Sequence, residues 1–158
     1  MADFFSASEV FQFAVRIEEN GERFYRLTAE NINDKKTKEL FVFLADEEVK
    51  HRKTFQGMVE KVEAYEPAES YPGEYFAFLK AYADEHIFTP EKKAEVAAKK
   101  MQGPKEALEF AIALEVDSIL YYLEAKNLVP ENQRDVMDRI IDEERRHYLK
   151  LSETKKAL

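Results

Sequence analysis

Large apolar residues recur at alternating steps of three and four through four long stretches of the chain, and that period predicts four amphipathic helices. The first runs from Ser8 to Glu30, with Ser6 or Ser8 as its N-cap, and the second from Lys35 to Ala64, capped by Asp34. The third starts after Pro104 and reaches about Asn127; the fourth starts after Pro130, with Glu131 in its first turn, and reaches about Glu153. Short polar turns join the first to the second and the third to the fourth, so each pair reads as an antiparallel hairpin. Between the hairpins, residues 65–104 contain Pro67, Pro72, Pro90 and Pro104, with short helices expected at Glu74–Glu85 and Pro90–Met101. A connection of that length can cross the bundle instead of returning antiparallel. The expected fold is all-α: a four-helix bundle with a long crossover between its second and third helices. It forms one domain over residues 1–158, with hairpins at 8–64 and 105–153 and the crossover at 65–104.

The apolar stripes are interrupted at one level. The second segment places Phe41, Leu44, Glu48, His51, Phe55, Met58 and Val62 on a single face. The fourth repeats this with Met137, Ile140, Glu144, His147 and Leu151. The first segment gives Phe11, Ala14, Glu18, Gly21, Tyr25 and Thr28, and the third gives Leu108, Ala111, Glu115, Ser118, Tyr122 and Ala125. Each helix thus inserts a carboxylate into its core-facing seam at about the same height. Gly21 and Ser118 remove bulk one turn away and leave room there.

The two hairpins are internal repeats of one another. AVRIEENGERFY at 14–25 aligns with AIALEVDSILYY at 111–122 on Glu18 and Glu115, and DEEVKH at 46–51 aligns with DEERRH at 142–147. Each half supplies one glutamate and one Glu-x-x-His.

Ionised carboxylates converging in a core are very costly when unpaired, and mutual repulsion raises their pKa values. Two divalent cations would balance the four negative charges. Glu and His spaced i, i+3 on a helix point the same way and can serve one site. Imidazole nitrogen with carboxylate oxygen suits iron, manganese or zinc better than magnesium or calcium. Glu18, Glu48, His51, Glu115, Glu144 and His147 are therefore the expected metal ligands, for a pair of iron, manganese or zinc ions. Around them, either Glu47 and Glu143 or Asp46 and Asp142 could orient the imidazoles across the bundle, or simply form a solvated face. Tyr25 and Tyr122 read either as hydrogen-bond donors to the carboxylates or as ordinary core aromatics. His86 lacks a glutamate at −3 and reads as structural, and the lysines at 92–100 read as a solvated helix face.

Composition narrows the chemistry further. The 158 residues are 45% hydrophobic and 35% charged, with few Gly and Pro, which favours helix and allows a real core. There is no cysteine, so disulfides, thiolate zinc sites, iron–sulfur clusters and Cys nucleophiles are excluded. A net charge of −8 argues against nucleic acid or an anionic membrane as main partner. No apolar run approaches the ~18 residues of a membrane span, and no signal peptide is seen. A cytoplasmic location is expected.

The set E-x-x-G-x-x-F-Y from Glu18, LADEEVKH around Glu48, ALEFAIALEVDSILYY around Glu115 and IIDEERRH around Glu144 resembles the rubrerythrin branch of the ferritin-like superfamily. That resemblance covers the four helices. It implies a di-iron centre on the six residues named above and reduction of hydrogen peroxide by cycling between diferrous and diferric states. It also implies a homodimer, for which the aromatic-rich stretch Tyr71–Phe88 is a candidate contact surface. The chain departs from the family twice. Ser118 stands where a second glutamate of the third helix is usual, and a Cys-rich rubredoxin domain is lacking, so an external electron-donor protein is expected. The competing readings are a ferroxidase or iron-handling protein reacting with dioxygen, a non-enzymatic metal-binding bundle, and an oxygenase acting on an organic substrate.

Overall fold

The computed structural model describes residues 7–62, 73–82 and 98–158, and the description below concerns these alone. The element order is α1 (Ala7–Asn31), α2 (Lys35–Lys61), α3 (Gly73–Tyr82), α4 (Pro104–Ala125) and α5 (Arg134–Lys156). The 3-10 turns Lys126–Leu128 and Glu131–Gln133 lie between α4 and α5. This is a four-helix bundle of the ferritin-like kind. α1 packs along α2 and α4 along α5, and the hairpins meet along the α1–α4 and α2–α5 seams.

Local chemistry sets the boundaries. Asp34 has extended backbone and accepts from the Thr37 amide at 3.0 Å and the Thr37 hydroxyl at 2.6 Å, which caps α2 as expected. Pro104 opens α4 at a position whose amide has no intrahelical partner in any case. Glu106 reaches back to the Gln102 amide at 3.1 Å.

Several expected boundaries shift. Ser8 lies inside α1, where its hydroxyl accepts from the Gln12 amide, so it is not the cap; Ser6 lies outside the described residues. α2 closes at Lys61, and Ala64 also lies outside the described residues. α4 stops at Ala125 because the chain tightens into a 3-10 turn that buries Leu128 and Val129 ahead of Pro130. Glu131 sits in the next 3-10 turn, and α5 starts three residues later, at Arg134. The helix expected at Glu74–Glu85 is described as α3, with 83–85 outside the described residues. Of the one expected at Pro90–Met101, residues 98–100 are helical and Met101 is not, while 90–97 lie outside.

The core has two apolar layers. One gathers Phe11, Phe55, Tyr121, Tyr122, Met137 and Ile140 with Leu79 of α3; the other gathers Phe24, Tyr25, Phe41, Leu44, Leu108 and Leu151. Each long helix contributes to both. Between the layers, every long helix passes through one polar level. α3 fastens to α4 through buried Leu79 and a 2.6 Å hydrogen bond from the Tyr82 hydroxyl to Asp117. No described helix is long and apolar enough to cross a membrane.

Candidate metal centre

The stripes that place these side chains are buried as their spacing requires. Phe41, Leu44, Phe55, Met58 and Val62 lie in the core on either side of Glu48 and His51, and Met137, Ile140 and Leu151 flank Glu144 and His147. Glu18, Glu48, His51, Glu115, Glu144 and His147 are each at most 5% exposed. The structure brings all six together. Glu18, Glu48, His51 and Glu144 offer ligand atoms within 4.8 Å of one another, and so do Glu48, Glu115, Glu144 and His147. The two groups share Glu48 and Glu144, and each draws on both hairpins.

His51 Nδ1 lies 3.0 Å from Glu144 Oε1 and 3.5 Å from Glu18 Oε2. His147 Nδ1 lies 3.1 Å from Glu144 Oε2 and 3.9 Å from both Glu48 and Glu115. The imidazole rings stack with centroids 5.6 Å apart. Gly21 leaves room for Glu48: a Cβ there would crowd its carboxyl carbon and Oε2, both at 3.3 Å.

The outer oxygens are held by tyrosines from the opposite hairpin. The Tyr25 hydroxyl donates to Glu115 Oε1 at 2.5 Å, and the Tyr122 hydroxyl donates to Glu18 Oε1. Both rings also pack in the apolar layers, so the two readings of these residues hold together. The carboxylate facing His51 from the other hairpin is Glu143, with Oε2 2.7 Å from Nε2. Glu47 approaches His147 Nε2 from α2 at 4.0 Å. Asp46 and Asp142 turn to the surface instead, pairing with Arg26 at 3.0 Å and Arg145 at 2.8 Å. The Ser118 hydroxyl bonds back to the Leu114 carbonyl at 3.0 Å. His86 and Lys92 lie outside the described residues, while Lys99 and Lys100 are exposed.

Electrostatics show how such a level survives with protein atoms alone. Burial, then the charges of Glu18 and Glu144, push the Glu48 carboxyl well above its usual range. Burial and Glu144 do the same to Glu115. Burial also works against ionised Glu144, but hydrogen bonds from Glu115, His147 and His51 outweigh it and hold that carboxyl below its usual range. Burial opposes the His51 imidazolium as well; the hydrogen bond to Glu144 and the nearby charges of Glu18 and Glu144 overcome it and push its pKa up to about 12. Protons on Glu48 and Glu115 and the cationic His51 thus offset the buried acids.

The residues fit a metal pair. Glu18 Oε2 is fully buried and faces His51 Nδ1 at 3.5 Å without a hydrogen-bond partner, which leaves a carboxyl oxygen that a metal ion could engage. The donors are oxygen and imidazole nitrogen only, a set that suits iron, manganese or zinc.

The rubrerythrin family model matches residues 9–155, nearly the whole chain and all four long helices. The chain belongs to the rubrerythrin family. No curated protein and no solved structure gives a significant match. The family match and the paired groups agree with the resemblance carried by the four motifs. What the sequence did not single out is Phe43, whose ring lies 6.5 Å from that of His147. It stands off the core stripe of α2, and nothing in the local pattern marks it.

Proposed function

We propose that this rubrerythrin-family chain is a non-haem di-iron oxidoreductase that reduces hydrogen peroxide to water with electrons from a separate donor protein. Glu18, Glu48, His51, Glu115, Glu144 and His147 hold the irons in this reading, with Glu48 and Glu144 shared between them. The observation that carries it is the convergence of four carboxylates and two imidazoles, all buried, from four helices on one level. When bound, two irons supply Lewis acidity and one electron each to the O–O bond. The chain's own residues do the rest. Tyr25 and Tyr122 fix the outer oxygens of Glu115 and Glu18, which leaves the other oxygens aimed inward. Glu143 holds His51 by Nε2 and so presents Nδ1 to the site. The aromatic layers above and below exclude bulk water, which strengthens every electrostatic interaction within.

A second reading, oxidation of ferrous iron by dioxygen in an iron-handling role, is favoured by Ser118. With its hydroxyl bonded back to Leu114, α4 brings one carboxylate to the level and no second one. Anaerobic iron loading decides between them. Two irons per chain oxidised much faster by stoichiometric peroxide than by air is the expected result. Faster oxidation by air, with mineralised iron, establishes the second reading. Two irons inert to both would make the bundle a binding module, and no bound metal would overturn the ligand assignment. Homodimerisation belongs to the same proposal. Phe78, 51% exposed on α3 within the aromatic-rich stretch, supports it, and solution mass tests it.

A further inference from the structure

The repeat makes the ligands of the two halves equivalent, yet what covers the two histidines is not. His51 Nε2 is closed off by Glu143 at 2.7 Å. At His147 the corresponding carboxylate, Glu47, stops 4.0 Å short, too far for a hydrogen bond, and its other oxygen is taken by Lys50 at 2.5 Å. The ring of Phe43 stands against the His147 imidazole, at 83° to it with centroids 6.5 Å apart. Phe43 is 39% exposed, whereas His147 beneath it is 3% exposed. The Lys150 ammonium lies 4.0 Å from the Phe43 ring centroid, a cation–π contact that pins the ring from the α5 side. The repeat puts Arg139, not an aromatic ring, where the first half has Phe43.

A hydrogen-bonded carboxylate and a half-exposed ring are different kinds of closure. The first must break a charge-assisted bond to open. The second needs a side-chain rotation against one weak surface contact, a motion of the fast kind open to exposed residues. We infer that Phe43, latched by Lys150, is the gate to the centre: small reactants reach the metals past His147, along the α2–α5 seam, and bulky ones are held out there. Phe43 is then a specificity-determining residue that touches neither metal. The inference rests on the six side chains being a metal centre.

Its test is the rate at which EDTA strips cobalt(II) from the loaded full-length chain, followed by visible absorption, with metal counted beforehand. Phe43→Ala is expected to speed extraction at least about tenfold, and Lys150→Met about threefold, the size of one exposed cation–π contact. Phe43→Trp keeps the cover and the wild-type rate, and so does Arg139→Ala on the ungated side. Equal rates for wild type and Phe43→Ala, or equal acceleration by Arg139→Ala, overturn the gate while leaving the metal centre intact. A wild-type chain that binds no metal removes the centre and the gate together. Should Phe43→Ala not fold, Lys150→Met decides the matter in the same way, by acceleration or its absence.

Discussion

The α1–α2 hairpin and the α4–α5 hairpin carry the same functional pattern on differently built helices. α1 is strongly amphipathic: Glu18 and its apolar neighbours face inward, while Glu19, Arg23 and Arg26 face out. α4 is apolar on more than one side, with Val116, Leu120 and Leu123 exposed to one side of Glu115. α2 begins on the Asp34 side-chain cap, whereas α4 begins on Pro104 with no side-chain cap. The level of Glu18, Glu48 and His51 nevertheless matches that of Glu115, Glu144 and His147. Seam position therefore brings the six side chains to one level, and capping and outer-face composition are free to differ.

Substitution can break that equivalence. The largest effect is expected from the shared carboxylates. Glu48→Ala or Glu144→Ala should lower metal content from two ions per chain to one or none, because each serves both groups; Glu18→Ala or Glu115→Ala should spare one ion. Metal analysis after gel filtration checks this, and retention of two ions by Glu48→Ala would sink the assignment. Next come the tyrosines. Tyr25→Phe and Tyr122→Phe each remove a donor from a buried carboxyl, at a cost of about 1–3 kcal/mol of metal-free stability in chemical denaturation. Equal losses would show that the two halves are supported alike, and unequal ones that the repeat is only skin-deep.

A smaller effect separates the two spacer residues. Gly21→Ala gains about 0.5–1 kcal/mol of helix propensity but crowds Glu48 at 3.3 Å. Metal-free stability should therefore change little while metal affinity falls. Ser118→Ala loses only a bond to its own helix, so it should alter stability by no more than about 0.5 kcal/mol and leave affinity unchanged. Calorimetric titration with cobalt(II) separates the pair. The smallest effect lies at the caps. Hydrogen bonds from Thr37 hold the Asp34 carboxyl below its usual pKa, so its contribution is complete above the unfolded-state pKa and lost as pH falls through the folded one. Asp34→Ala should lower the melting temperature slightly at neutral pH, with the difference closing in acid; a constant difference across that range would refute the cap's role.

Much of this was legible from spacing. The stripe through Phe41, Glu48, His51 and Phe55 needs only the helical period to place a carboxylate and an imidazole in a core, and the repeat carried the inference to Glu144 and His147. Asp34 declares itself as a cap by residue type. The choice between Glu143 and Asp142 as the neighbour of His51 was not legible, because both lie on the same stretch of α5 and only the crossing of α5 over α2 decides which one reaches the ring. The pairings Tyr25–Glu115 and Tyr122–Glu18 also link opposite hairpins, and no periodicity encodes them. Phe43 was invisible for the same reason. Glu131 misled because 3-10 and α turns share their local preferences, and the burial of Leu128 and Val129, a tertiary matter, delays the start of α5.

The shared glutamates also bear on how the chain comes to be folded. Either hairpin alone holds three of the four members of one group and lacks the fourth. Contacts within each hairpin are local in sequence and close early, whereas docking one hairpin on the other closes the longest loop, through residues 65–104. A complete set of four donors in either group thus appears only at that last step. With protein atoms alone, that level is balanced once docked by protons on Glu48 and Glu115 and by the cationic His51.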